Sequence, residues 1–170
     1  MELEEQIAMA IRAHRDFPKE DDMAVRRWDG ETPYSVHSIW GGVTLLHETE
    51  LNKEFRECGS QALFFHDILE DTNFDLLMVE DLPERTREFV DKMTFESSAQ
   101  EMELIWGAEP EIKLLKLYDK VSNLMDGAWM SPEKKEKYTD YTKKLTEDVE
   151  ENYGQLNIVK IAKAITGVNK

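Results

Sequence analysis

In this sequence an apolar run stands directly before a group of ionisable side chains, and this order limits the folds that the chain can adopt. Ala62-Leu63-Phe64-Phe65 is apolar on every side of a helix and leads into His66-Asp67-Ile68-Leu69-Glu70-Asp71. A helix that is apolar all round belongs in the interior of a protein. We therefore predict a buried central helix with Asn52 as its N-cap, running toward Glu70.

The end of this predicted helix carries four ionisable groups, His66, Asp67, Glu70 and Asp71. On a continuous helix they share one arc of about 140°. Burying four such groups is costly unless something compensates them. A divalent cation does so, because imidazole and carboxylate are ligands of Mn²⁺, Fe²⁺ and Zn²⁺. The alternative is a chance His-Asp pair beside a salt-bridged helix end.

A second polar face is predicted on a helix from Ile112 to Met125. Lys116, Asp119 and Asn123 recur at i, i+3 and i+7 and so share one side of this helix. An ammonium, a carboxylate and an amide suit metal ligation together with phosphate recognition. For this segment alone, a solvent-exposed polar face is an equally good interpretation. His37 is a third candidate, although a lone histidine is more often structural than a ligand.

The remaining sequence predicts an all-α fold, a single helical domain over residues 1–170. No turn signal joins two alternating strands, and neither a linker nor an internal repeat interrupts the chain. Thr32-Pro33 reads as an N-cap followed by proline at the first helical position. The other predicted helices cover about Leu3 to Arg15, Pro33 to His47, Asp75 to Val79, a segment from Pro83, a segment from Ser131, and Leu156 to Ile165.

Charge and cysteine content limit the partners of the chain. Lysine and arginine total 21 against 36 aspartates and glutamates, a net charge of −15. Such a chain lacks the basic face that DNA and RNA binding require, whereas a small anionic ligand needs only a local basic patch. One cysteine excludes an internal disulfide, and no apolar run reaches membrane-spanning length. We expect a cytoplasmic protein without nucleic-acid or membrane partners, and the sequence leaves homo-oligomer formation open.

Taken together, the motifs resemble those of the HD-domain phosphohydrolases. The closer resemblance is to the hydrolase domain of the RelA/SpoT family and to the small stand-alone alarmone hydrolases. It extends over roughly residues 5 to 130, in matching order. The segments that carry it are Ala13-His14, Arg26-Arg27-Trp28-Asp29-Gly30-Glu31-Thr32-Pro33-Tyr34 leading to His37, His66-Asp67 with Glu70-Asp71-Thr72, Lys92-Met93-Thr94, and Lys116-Leu117-Tyr118-Asp119-Lys120 with Asn123-Leu124.

The resemblance implies a role for each matching residue. The ligands of one divalent ion, with Mn²⁺ preferred, would be His37, His66, Asp67 and Asp119. Glu70 and Asp71 would orient or deprotonate the attacking water. The candidates for phosphate and ribose contacts are Arg26, Arg27, Lys116, Lys120 and Asn123.

The activity that the resemblance implies is metal-dependent hydrolysis of a phosphorylated nucleotide in the stringent response. The specific expectation is removal of the 3′-diphosphate from guanosine tetra- or pentaphosphate, (p)ppGpp, as pyrophosphate. One alternative keeps the metal site but acts on another nucleotide, as an HD-type nucleotidase does; Tyr118 would then close the pocket against a 3′-diphosphate. A second alternative is a regulatory module that binds a nucleotide without turnover.

Overall fold

The computed structural model describes residues 2–75, 79 and 82–167, and over these residues the protein is all-α, as predicted. Extended pairing within the described ranges is limited to two isolated bridges, Pro18 with Thr72 and Val25 with Pro33. The helices are α1 (Leu3–Asp16), α2 (Ser35–Leu46), α3 (Lys53–Phe65), α4 (Ile68–Asp71), α5 (Glu84–Met93), α6 (Ser98–Leu104), α7 (Pro110–Met125), α8 (Pro132–Tyr153) and α9 (Asn157–Thr166).

The chain divides into two compact units, Met1–Glu96 and Ser97–Lys170. In the first unit, α3 packs against α2 and α5, and α1 packs against α2, α3 and α4. In the second unit, α7, α8 and α9 pack against one another. The apolar run 62–65 is fully buried in the first unit, as its sequence predicts. A single domain over residues 1–170 stays a prediction.

Capping residues fix several helix ends where the sequence predicts them. The side chain of Asn52 accepts a hydrogen bond from the Phe55 backbone N–H at 2.8 Å, and Ser131 does the same for Lys134 at 3.2 Å. α9 ends at Gly167, whose φ of +76° lies in the left-handed region that glycine adopts without strain. These local signals succeed because each is a short-range contact between neighbours in sequence.

The predicted N-cap at Thr32 is wrong, because α2 begins at Ser35. The Thr32 hydroxyl donates to the Asp29 carboxylate, which also accepts the backbone N–H groups of Glu31 and Thr32. Thr32 therefore closes a turn in the preceding loop instead of capping the helix. The short helix predicted for Asp75 to Val79 falls mostly outside the described residues.

The continuous helix predicted through His66 is also wrong, because α3 ends at Phe65 and α4 begins at Ile68. The imidazole Nδ1 of His66 bonds to the Leu63 carbonyl at 2.8 Å, which is the carbonyl that residue 67 would use in a continuous helix. Asp67 leaves helical geometry, with φ −90° and ψ −2°. His66 and Asp67 consequently lie on a turn between two helices.

Close packing of α2 on α3 depends on Gly42. A Cβ atom added there would lie within 3.0 Å of the buried Phe64 ring, whereas one added at Gly41 would lie 3.7 Å from Leu63. We expect Gly42→Ala to lower the free energy of unfolding by about 1–3 kcal/mol through overpacking. The matched Gly41→Ala should be neutral or stabilising, because alanine favours helix. Urea unfolding of both variants tests this, and equal effects would contradict it.

Candidate metal centre

Three buried side chains of the first unit converge on one point. His37 comes from the first turn of α2, and His66 and Asp67 come from the turn between α3 and α4. The two imidazole Nε2 atoms are 3.3 Å apart. His66 Nε2 lies 3.1 Å from Asp67 Oδ1, and His37 Nε2 lies 3.5 Å from Asp67 Oδ2. These three residues can each offer one atom to a single metal ion.

The spacing of these atoms fits the coordination shell of one divalent ion. Ligands bonded at about 2.1 Å lie about 3.0 Å apart at right angles and about 3.4 Å apart at tetrahedral angles. All three separations, from 3.1 to 3.5 Å, are close to this span. Two imidazoles and a carboxylate are also a donor set that Mn²⁺, Fe²⁺ and Zn²⁺ accept. The residues present therefore fit a resident divalent cation.

The orientation of His66 prepares its ring for a metal. Because a carbonyl oxygen only accepts hydrogen bonds, the 2.8 Å contact with Leu63 requires the proton on Nδ1. In the neutral ring, Nε2 then carries the lone pair that faces His37 and Asp67. Metal-bound histidines commonly show this arrangement, in which the outer nitrogen donates to a backbone carbonyl.

The two acidic residues of α4 have different surroundings. Glu70 Oε1 accepts the Phe95 backbone N–H at 3.0 Å. Asp71 forms a hydrogen bond with the Tyr34 hydroxyl group, and burial together with the Asp67 charge raises its pKa from 3.8 to about 7. A carboxyl group that titrates near neutrality matches the requirement for a general base. Asp71 therefore has an electrostatic setting that suits proton transfer.

Lys19 fixes the end of the helix that carries this acidic pair. Its ammonium donates to the carbonyls of Leu69 and Glu70 at 2.8 and 2.7 Å. Its backbone N–H donates to the Asp71 carbonyl at 2.9 Å. A cation on the last carbonyls of a helix is favourable for both charge and hydrogen bonding.

The adjacent arginines predicted to bind substrate occupy different environments. Arg26 is buried, and its guanidinium lies 5.0 Å from the centroid of the Tyr34 ring, a cation–π contact. Arg27 is exposed. Arg27 is therefore accessible to a dissolved anion, whereas Arg26 packs against a residue of the site. The substrate role of both residues stays a prediction.

The predicted polar face of α7 forms a buried network in the second unit. Asp119 Oδ2 lies 3.4 Å from Lys116 Nζ and 2.8 Å from Lys120 Nζ, and Asn123 donates to Asp119 Oδ1 at 2.7 Å. Both ammonium groups also contact Glu101 Oε2, at 3.2 and 2.8 Å. Two cations and two carboxylates thus compensate one another. Their predicted roles in metal and substrate binding stay predictions.

Burial alone would lower the pKa of Lys120. The charges of Asp119, Tyr138 and Glu101 outweigh this effect and hold the pKa well above its ordinary value. Lys120 therefore stays cationic in the interior. Glu101, which also accepts the Tyr141 hydroxyl at 2.9 Å, is a member of this network that the sequence motifs do not reveal.

Two further residues beside the metal cluster stand in the segments that carry the resemblance, but the sequence analysis gave them no role. Tyr34 donates its hydroxyl to Asp67 Oδ2 at 2.8 Å, and its place three residues before His37 was the signal for it. His14 is buried with neither ring nitrogen hydrogen-bonded within the part of the chain that the structure describes. Burial lowers its pKa to about 4, although the Asp67 charge opposes this shift. The proximity of His14 to the cluster was not predicted.

Comparison with solved structures identifies the architecture. A metazoan ortholog of SpoT that hydrolyzes ppGpp and plays a role in starvation responses is similar over 96% of this chain and 95% of that chain. The TM-score is 0.71 and the sequence identity is 21%. The chain has the fold of that hydrolase. This likeness agrees with the resemblance to RelA/SpoT hydrolase domains that the sequence motifs indicate.

Other comparisons add no relative to this hydrolase fold. No protein-family model matches the chain, and no curated protein matches it either.

Among the described helices, none combines the length and the apolar character needed to cross a bilayer.

The raised pKa of Asp71 predicts a pH-dependent effect on the stability of the metal-free protein. The folded state holds this proton up to about pH 7, whereas the unfolded chain releases it near 3.8, so stability is lost as pH rises between these values. Asp71→Asn removes this penalty. Its gain in melting temperature over wild type should be at least twice as large at pH 8 as at pH 5. A gain independent of pH would contradict the assignment.

Proposed function

We propose that this protein is a metal-dependent nucleotide phosphohydrolase, specifically a guanosine-3′,5′-bis(diphosphate) 3′-pyrophosphohydrolase acting on (p)ppGpp. The observation that carries the proposal is the convergence of His37, His66 and Asp67 at 3.1 to 3.5 Å in the interior of the first unit. The fold shared with a ppGpp hydrolase and the ordered motifs support (p)ppGpp as the proposed substrate.

The first function of the site is to hold the cation. His37, His66 and Asp67 supply two imidazole nitrogens and a carboxylate, and the resemblance adds Asp119 as the fourth protein ligand. A bound divalent ion lowers the pKa of water and neutralises charge on a phosphoryl oxygen. Mn²⁺ is the ion that we propose, because the resemblance implies it and its chemistry accepts both imidazole and carboxylate ligands.

The second function is proton transfer. We assign Asp71 as the group that takes the proton from the attacking water, because its pKa lies near neutrality. Glu70, held by the Phe95 N–H, orients that water. The water oxygen bonds to the phosphorus attached to O3′, the bond between phosphorus and O3′ breaks, and the departing O3′ takes a proton from solvent while Asp71 returns its proton to solvent. The products are pyrophosphate and a nucleotide with a free 3′-hydroxyl.

The third function is recognition of the anionic substrate by a strongly acidic protein. With a net charge of −15, favourable contacts to phosphate depend on local cations. We propose that the exposed Arg27 contacts the phosphate groups of the substrate. The further proposed contacts to phosphate and ribose are Arg26, Lys116, Lys120 and Asn123. We propose that the activity is cytoplasmic and serves stress signalling of the stringent-response type. Measurement of the molecular mass in solution tests homo-oligomer formation.

A nucleotide panel tests the proposed activity. The full chain is incubated with ppGpp, GTP, GDP and nucleoside monophosphates, with Mn²⁺ or with EDTA, and pyrophosphate and orthophosphate are measured separately. We expect pyrophosphate from ppGpp, in the presence of Mn²⁺ only. Orthophosphate from other nucleotides would instead indicate an HD-type nucleotidase. Binding of ppGpp without turnover would indicate a regulatory module.

Replacement of the proposed base tests the mechanism. Asp71→Asn keeps the size of the side chain but cannot accept the proton, so we expect kcat for ppGpp to fall by about 10²–10⁴-fold. Asp91→Asn, a replacement of an exposed carboxylate on α5, is the matched control and should retain wild-type kcat. Steady-state kinetics with saturating Mn²⁺ decide the matter, and a wild-type kcat for Asp71→Asn would refute the assignment.

A further inference from the structure

Tyr34 occupies the position between the metal cluster and the acidic pair. Its hydroxyl donates to Asp67 Oδ2 at 2.8 Å and also forms a hydrogen bond with the Asp71 carboxyl group. One half-buried phenol thus contacts both a proposed metal ligand and the proposed base. A residue nearer the surface could form a hydrogen bond with one carboxylate equally well. Contact with both carboxylates is therefore the feature that distinguishes Tyr34.

The hydroxyl determines how Asp67 presents its two oxygens. Rotation about the last side-chain bond of aspartate is soft, so an unrestrained carboxylate samples many orientations. In the structure, Oδ2 is bound by Tyr34 and lies 3.5 Å from His37 Nε2, while Oδ1 lies 3.1 Å from His66 Nε2. The Tyr34 hydrogen bond therefore fixes the carboxylate plane relative to both imidazoles.

The Tyr34 ring is itself held from several sides. The His14 ring packs against it with centroids 5.0 Å apart, and the His37 ring with centroids 5.8 Å apart. The Arg26 guanidinium lies 5.0 Å from the same ring. Bulky neighbours of this kind restrict the side chain to one rotamer, so the hydroxyl stays at a defined place.

We propose that Tyr34 is a positioning residue that fixes Asp67 for metal binding and Asp71 for proton transfer through one shared hydroxyl. Arg26 supports it from the ring side. The inference rests on the proposed function, since it takes Asp67 as a metal ligand and Asp71 as the base. It adds a residue outside the ligand set and the acidic pair.

The test removes the hydroxyl and keeps the ring. Metal-free Tyr34→Phe is titrated with Mn²⁺, and free Mn²⁺ is measured by electron paramagnetic resonance. We expect a dissociation constant raised about 10-fold or more, as for other groups that orient metal ligands. With ppGpp at saturating Mn²⁺, kcat should fall at least about 10-fold while KM changes less than twofold. An unchanged dissociation constant and kcat would overturn the inference.

Thr86→Val is the matched control. It also deletes a buried hydroxyl that bridges two helices of the first unit, donating from α5 to Gln61 Oε1 on α3 at 2.9 Å, but neither residue has a proposed part in binding or catalysis. It should lower the melting temperature while leaving Mn²⁺ affinity near wild type. If both variants weaken Mn²⁺ binding equally, the effect is general destabilisation and the inference fails. If wild type itself binds no Mn²⁺ and hydrolyses no nucleotide, the proposed function fails instead.

A measurement on the wild-type side chain covers the case in which Tyr34→Phe does not fold. Protein labelled with ¹³C at tyrosine Cζ is titrated with Zn²⁺, a diamagnetic ion. The five tyrosine signals are assigned by elimination with the four other Tyr→Phe variants. We expect the Tyr34 signal to move at one equivalent of Zn²⁺ and the signal of Tyr153, the last residue of α8, to stay. A stationary Tyr34 signal in protein that has bound Zn²⁺ would overturn the inference.

Discussion

Two imidazole nitrogens and a carboxylate face one another in the protein interior, and the surrounding structure depends on that convergence. Buried polar groups are costly unless each has a partner, and here the partners are specific. The Leu63 carbonyl orients His66, and the Tyr34 hydroxyl orients Asp67. Gly42 allows α2 to approach α3 closely, which brings the helix that carries His37 to the turn that carries the other two residues.

The second unit also buries charged side chains, and there they are paired with one another. Lys116 and Lys120 are buried, and they are paired with Asp119 and Glu101 at 2.8 to 3.4 Å. Ion pairs repay their desolvation only when further hydrogen bonds satisfy the remaining positions, and Asn123 and Tyr141 provide such bonds. The cluster in the first unit differs, because it combines two imidazoles and a carboxylate, a donor set that fits a divalent cation.

Local sequence signals predicted the helical fold, the Asn52 and Ser131 caps and the burial of residues 62–65, since each depends on near neighbours or on apolar periodicity. The helix break at His66 was not predicted, because apolar periodicity does not reveal that the His66 side chain bonds to a backbone carbonyl of its own helix. Residue types alone also did not predict that Arg26 is buried while Arg27 is exposed, or that Tyr34 contacts the metal cluster. Those distinctions arise from contacts between segments distant in sequence, such as the Tyr34 hydroxyl on Asp67.

The central claim is that His37, His66 and Asp67 hold a single divalent ion, and anomalous diffraction tests it most directly. Crystals of the full chain grown with Mn²⁺ would be measured at the manganese absorption edge. The account predicts one strong anomalous peak enclosed by His37 Nε2, His66 Nε2 and the Asp67 carboxylate. Well-ordered crystals with no peak at that point, or with manganese bound only elsewhere, would contradict it.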